Sequence, residues 1–164
     1  MKLKVGLLGG GSWGTTVASL TAKNVPTIIW ARNPITVKEI NEQHTNEKYL
    51  PNAKLTPALV ASNSIKETVE EADVIVMGVP SQSLRKVLEE ARPYIRPWVP
   101  IINLAKGLEI STKMRMTEII EELMPGHPIG VLTGPNLAKE IHFGKAAAAV
   151  IAMVDNSIAK RLQS

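Results

Sequence analysis

At 164 residues and 45% hydrophobic content, the chain is sized for one domain with a buried core. It has no cysteine, which excludes a disulfide framework and a thiolate metal site and suits a reducing compartment, so the cytoplasm is the expected location and no metal is expected. The net charge of +4 comes from lysines and arginines dispersed among carboxylates, and with only 4% aromatic residues there is no stacking platform, which argues against nucleic acid as a partner.

Residues 4–8 read as a buried first strand, too short and too broken by glycine to be a signal peptide or a membrane span. The strand runs into Gly9-Gly10-Gly11-Ser12-Trp13-Gly14. An apolar strand, then GxGxxG, then a helix is the fingerprint of a dinucleotide site, in which each glycine has its own steric task. Gly9 permits the turn, Gly11 lets the backbone approach a pyrophosphate, and Gly14 lets the helix pack closely on the strand. The phosphates would rest on the helix N-terminus, where unpaired N–H groups and the helix dipole favour an anion. Glycine-rich turns also serve methyltransferases and ligand-free sheets, so the motif alone leaves the ligand open.

Residues 15–23 follow as the first helix, with Val17, Ala18 and Leu20 on its buried side, and residues 26–30 as the second strand. The tip of that strand is where this pattern normally places an acidic residue for the adenosine ribose, and here it reads Ala31-Arg32-Asn33. A carboxylate accepts hydrogen bonds from both ribose hydroxyls; a guanidinium accepts none, and instead pairs with a 2′-phosphate or lies over the adenine. Arg32 is therefore expected to admit NADPH as well as NADH, the alternative being an ordinary surface residue.

Asn33-Pro34 caps a short helix carrying Val37 and Ile40. Residues 41–57 form a long polar connection, read as a surface loop in preference to a wall of the ligand cleft. A short strand over 59–61 precedes Ser64 and Glu67, a capping-box pattern for a helix ending near Asp73. Residues 74–79 are a continuous apolar strand closed by Pro80-Ser81, and Leu84, Val87, Leu88 and Ala91 make 82–91 an amphipathic helix. The proline-rich stretch 92–100 is a crossing loop, and a strand over 99–103 delivers Asn103-Leu104-Ala105-Lys106-Gly107-Leu108-Glu109 to the same sheet edge. Met116, Ile119, Ile120 and Leu123 mark a helix stopped by Pro125-Gly126. A strand over 129–133 leads through Gly134-Pro135-Asn136 into a short helix over 137–141. Residues 146–153 are apolar throughout and read as a buried strand, with a helix as the alternative, and Asp155 or Asn156 caps a last helix. Alternating strands and helices over 1–164 give a doubly wound, mostly parallel α/β sheet with its ligand beyond the strands' carboxyl ends.

Three loops leave that edge, at residues 9–14, 103–109 and 133–140. The glycine loop, Asn103 to Glu109, and Gly134-Pro135-Asn136-Leu137-Ala138-Lys139-Glu140-Ile141, with Val79-Pro80-Ser81 between them, resemble the Rossmann-type N-terminal domain of the bacterial NAD(P)-dependent sn-glycerol-3-phosphate dehydrogenases, in order and over the whole chain. The resemblance implies reversible hydride transfer between NADPH or NADH and carbon 2 of dihydroxyacetone phosphate or sn-glycerol 3-phosphate, feeding glycerophospholipid synthesis. Carried over by position, Ser12, Trp13, Arg32, Lys106 and Ala138 join the fingerprint glycines Gly9, Gly11 and Gly14 as cofactor-contacting residues, and Lys106, Gly134 and Asn136 fall on substrate-contacting positions. The family more often has Ser or Thr where Asn136 stands, although an amide still donates and accepts. Reducing a ketone develops negative charge on its oxygen, and the Lys106 ammonium is the catalytic group that would stabilise that charge, hold the substrate phosphate, or both. Trp13 reads either as shaping the cofactor pocket or as a plug between loop and sheet; Asp73, Glu109 and Glu140 read as caps or surface charges.

The resembled enzymes continue past the equivalent of Ser164 into a helical second domain that supplies the principal catalytic lysine and most of the phosphate grip. These 164 residues are therefore expected to be a truncated domain that binds cofactor without turnover and exposes apolar surface favouring a homo-oligomer. The competing readings are a fragment of another two-domain hydroxy-acid dehydrogenase, and a non-catalytic NAD(P)-binding module.

Overall fold

Val5–Leu8 (β1) and Val74–Met77 (β4) are apolar and buried at every position. A strand with two apolar faces needs cover on both, and these two sit side by side at the centre of a mostly parallel sheet. The structure, a computed structural model, describes residues 3–135 and 137–163. The remaining strands are Thr27–Trp30 (β2), Val60–Ser62 (β3), Ile101–Asn103 (β5), Ile129–Thr133 (β6) and Val150–Met153 (β7). Their order is β3-β2-β1-β4-β5-β6-β7, with β1 to β6 parallel and β7 antiparallel to β6. This is the Rossmann arrangement of the first six strands, with an added edge strand.

The helices are Ser12–Thr21 (α1), Pro34–Gln43 (α2), Ile65–Val69 (α3), Ser81–Ala91 (α4), Met116–Leu123 (α5), Ala138–His142 (α6) and Asn156–Gln163 (α7). Because side chains alternate along a strand, the sheet divides its apolar residues between two cores. On one face Leu7, Ile29, Val74, Val76 and Ile102 meet Ala18 of α1, Ile40 of α2 and Leu50 of the α2–β3 connection. On the other, Leu8, Ile75, Met77 and Ile101 meet Leu84 and Leu88 of α4 and Ile119 and Ile120 of α5.

Several local expectations shift. The first helix begins at Ser12, directly after Gly11, so Trp13 and Gly14 are helical rather than part of the loop. Ser64 caps α3 by accepting from Glu67 N at 3.2 Å, but the Glu67 carboxylate accepts from Ser62 Oγ, so only half of the capping box forms. Asp73 is a surface charge with fixed partners: its carboxylate accepts from the Lys4 backbone N–H at 2.9 Å and from Arg96 at 2.8 Å, tying the start of β1 to the segment before β5. The expected buried strand over 146–153 shortens to β7, and its residues alternate between exposed and half-buried. An apolar run becomes a buried strand only where something covers both faces, and β7 is an edge strand paired with β6 alone. Asp155 Oδ1 accepts from Ser157 N and Ile158 N and caps α7 as expected.

Candidate functional site

The loops after β1, β2 and β4 enclose a cleft of about 540 Å³ at the carboxyl edge of the sheet. Gly9, Gly10 and Gly11 form its floor, Arg32, Asn33 and Pro34 one side, Lys48 and Tyr49 a second, and Gly78, Val79, Pro80 and Val87 a third. The glycines differ in what fixes them. Gly9 has φ +131°, and a Cβ there would sit 2.5 Å from the Gly78 carbonyl carbon. A Cβ on Gly14 would sit 2.1 Å from Gly9 O, so close approach of α1 to β1 requires glycine. Gly11 is extended at φ −76°, ψ 178°, and a Cβ on it would meet nothing within 4 Å. The fold therefore needs Gly9 and Gly14 for itself, whereas the space beside Gly11 is open. The cleft lining contains Arg32 and Lys48 and no carboxylate, a charge balance suited to a polyanion. Asn33 Oδ1 accepts from Ile35 N at 2.9 Å, capping α2 and fixing the turn that carries Arg32.

The α2–β3 connection is a wall of the cleft and not the plain surface loop expected. Its ends close where Leu55 N donates to His44 O at 2.8 Å, and Leu50, Ala53 and Leu55 anchor it as a self-packed loop. Asn46, fully buried, donates from Nδ2 to Gly10 O at 3.0 Å and to Thr15 Oγ1 at 2.9 Å. Tyr49 N and Leu50 N donate to Asn46 O, forming the turn that presents Lys48 and Tyr49. Asn46, Lys48 and Tyr49 escaped the sequence reading; the signal available was Leu50, Ala53 and Leu55, apolar residues that a free surface loop would not carry at that density.

Lys106 lies in the β5–α5 loop, exposed and, among the described residues, without an ion-pair partner. Its loop is braced. Asn103 bonds Ala105 twice, Nδ2 donating to its O at 2.9 Å and Oδ1 accepting from its N at 3.0 Å. Gln82 spans the far side, Nε2 donating to Leu108 O at 2.8 Å and Oε1 accepting from Ile110 N at 3.0 Å. Glu109 is buried, accepting from Arg85 Nε at 2.9 Å and Thr112 Oγ1 at 2.6 Å, while Arg85 also donates to Glu122 at 2.7 Å. Glu109 is therefore a structural anion and not the cap or surface charge expected. The Arg85 guanidinium, and then the Thr112 hydroxyl, hold its carboxyl below the usual carboxylate range against the desolvation of burial.

The other sequence-derived candidates lie outside the glycine cleft. Ser12 opens α1, and its carbonyl accepts from Thr16 Oγ1 at 3.0 Å. Trp13 and Ala138 are half-buried against the core on the α1 face, and Thr16 Oγ1 also reaches Ala138 O at 3.4 Å. Gly134 follows β6 at the same sheet edge as Lys106, and Asn136 lies outside the described residues. Gly9, Gly11 and Arg32 thus share one cleft, Gly14 packs behind it, and Lys106 and Gly134 stand at neighbouring strand ends. Glu140 pairs with Lys145 at 3.3 Å on the surface. Among the described residues no helix is long and apolar enough to cross a membrane.

Residues 4–159 match the family model described as the NAD-dependent glycerol-3-phosphate dehydrogenase N-terminus. A Sphingopyxis alaskensis glycerol-3-phosphate dehydrogenase [NAD(P)+] is 60% identical over 163 residues, which are 99% of this chain and 49% of that protein. The Mycobacterium tuberculosis protein of that name is 52% identical over 98% of this chain and 48% of its own length. The chain thus spans about half the length of the curated relatives it matches. The crystal structure of glycerol-3-phosphate dehydrogenase from Coxiella burnetii superposes with a TM-score of 0.90 at 28% identity, covering 98% of this chain and 50% of that one.

Proposed function

Because the chain belongs to the family of NAD-dependent glycerol-3-phosphate dehydrogenase N-termini, we propose that it forms the cofactor-binding half of an enzyme that moves a hydride between a nicotinamide cofactor and carbon 2 of dihydroxyacetone phosphate or sn-glycerol 3-phosphate. The observation that carries this reading is the cleft itself: glycine backbone on the floor, open space beside Gly11, two cations and no carboxylate. The unpaired N–H groups at the start of α1 hold the diphosphate. Arg32 takes the adenosine end, and its guanidinium favours the 2′-phosphate of NADPH over the bare ribose of NADH. When bound, the nicotinamide supplies or accepts the hydride. Lys106, held at the end of β5 by its braced loop, offers an ammonium to the oxygen on which charge develops, and Gly134 bounds the substrate from the end of β6. For these 164 residues alone we propose binding without turnover, since Lys106 is exposed and an ammonium in open water stabilises an oxyanion weakly.

Thermal unfolding with NADPH, NADH or neither tests this, on the wild type and on Arg32→Ala. A ligand that binds only the folded state adds RT ln(1 + [L]/Kd), about 2.7 kcal/mol at a hundredfold excess over Kd. Both cofactors should raise Tm, NADPH more, and Arg32→Ala should erase the difference. No rise with either cofactor contradicts the binding reading. Oxidation of NADH by this chain in the presence of dihydroxyacetone phosphate contradicts binding without turnover.

A further inference from the structure

The glycine loop is steered by a side chain that the dinucleotide fingerprint does not contain. Asn46 is fully buried 36 residues from Gly10 in sequence, and its amide nitrogen donates to both Gly10 O and Thr15 Oγ1. Its own Oδ1 is buried and, among the described residues, has no hydrogen-bond partner. The amide is thus placed for donation alone. All peptide bonds among the described residues are trans, so in the Gly10–Gly11 peptide the N–H of Gly11 points opposite to the C=O of Gly10. Pulling the Gly10 carbonyl toward Asn46 turns the Gly11 N–H away from the protein interior. Among the described residues that N–H has no acceptor, and Gly11 lines the cleft.

We infer that Asn46 is a positioning residue for cofactor binding: by holding the Gly10 carbonyl it aims the Gly11 N–H at the diphosphate. Building on the cofactor-binding role proposed above, this assigns the α2–β3 connection a second task. Its backbone turn presents Lys48 and Tyr49 to the cleft while its Asn46 side chain sets the phosphate loop, so one connection ties a wall of the cleft to its floor.

The test compares Asn46→Ala, the size-conserving Asn46→Asp, and Thr15→Val, which removes the second bond of the same amide and leaves Gly10 untouched. Calorimetric Kd values for NADH and for ADP-ribose, a probe that keeps the diphosphate and lacks the nicotinamide, are measured below the Tm of each variant. Asn46→Ala should weaken both probes by the same factor, about tenfold, the loss of one charge-assisted hydrogen bond. Asn46→Asp should weaken them at least as much, and Thr15→Val should lower Tm while leaving Kd within twofold of the wild type. A purely structural Asn46 would lower Tm and leave the Kd of the folded fraction unchanged, which overturns the inference; so does a Thr15→Val loss equal to that of Asn46→Ala. If Asn46→Ala does not fold, Asn46→Asp decides by the same criteria, and failure of both to fold assigns Asn46 to the fold and overturns its role in the site. If the wild type binds neither probe, the cofactor-binding reading falls instead, and this inference with it.

Discussion

The glycine loop and the loop after β4 grow from strands covered on both faces, whereas the loop after β6 grows from a strand that is only partly covered. In β1 and β4 every residue is buried, and both cores lie within residues 5–124. In β7, α6 and α7 no described residue is buried, and Val150 of β7 and the flanking Leu137, Phe143 and Val154 are exposed apolar side chains. The glycine loop therefore rests on packed central strands, while the segment carrying Gly134 and Ala138 is held by the β6–β7 pairing and by the contact of α6 with α1.

Gly14 makes the tightest contact of the first region. Gly14→Ala places a Cβ 2.1 Å from Gly9 O and 3.2 Å from Leu7 Cδ2, both within the packed loop, and should cost about 3 kcal/mol or more in urea unfolding. A near-neutral result would mean that α1 can lift off β1 freely. Next, Leu8→Ala, at a fully buried position of β1, should cost about 2–5 kcal/mol, and Ile151→Ala in β7 about 1 kcal/mol, by the same measurement. Equal costs would erase the contrast between the two regions.

A smaller effect sharpens the picture around Lys106. The folded-state pKa of Glu109 is depressed below its ordinary 4.5 by Arg85 and Thr112. Its ionised form therefore contributes stability that is complete above about pH 4.5, its unfolded value, and disappears as pH falls through the lower folded value. Tm followed from pH 7 to pH 3 should fall less steeply for Glu109→Gln than for the wild type; parallel curves would show that the Arg85 contact does not hold the loop.

What the sequence discloses follows from the range over which each cause acts. Gly14 is readable because its steric task lies within one strand-turn-helix unit, and Asn33 because it caps its own helix two residues on, whereas the crowding at Gly9 comes from Gly78 at the end of β4 and only its turn is local. Glu109 is not, since its partner Arg85 is 24 residues earlier and only the packing of α4 against the β5–α5 loop brings them together. Asn46 is hidden for the same reason. The apolar runs of β4 and β7 look alike in sequence, yet one is central and one is an edge, because periodicity reports hydrophobicity and not coverage.

We propose that the space beside Gly11 belongs to the diphosphate of a dinucleotide and not to the fold. Gly11→Val tests it most directly, because the residue's extended backbone suits an L side chain and its Cβ meets no protein atom within 4 Å. Calorimetry with NADH and NADPH should show affinity reduced about a hundredfold or more, with unfolding free energy within about 0.5 kcal/mol of the wild type. A Gly11→Val chain that is folded and binds either cofactor as tightly as the wild type would contradict a diphosphate beside Gly11.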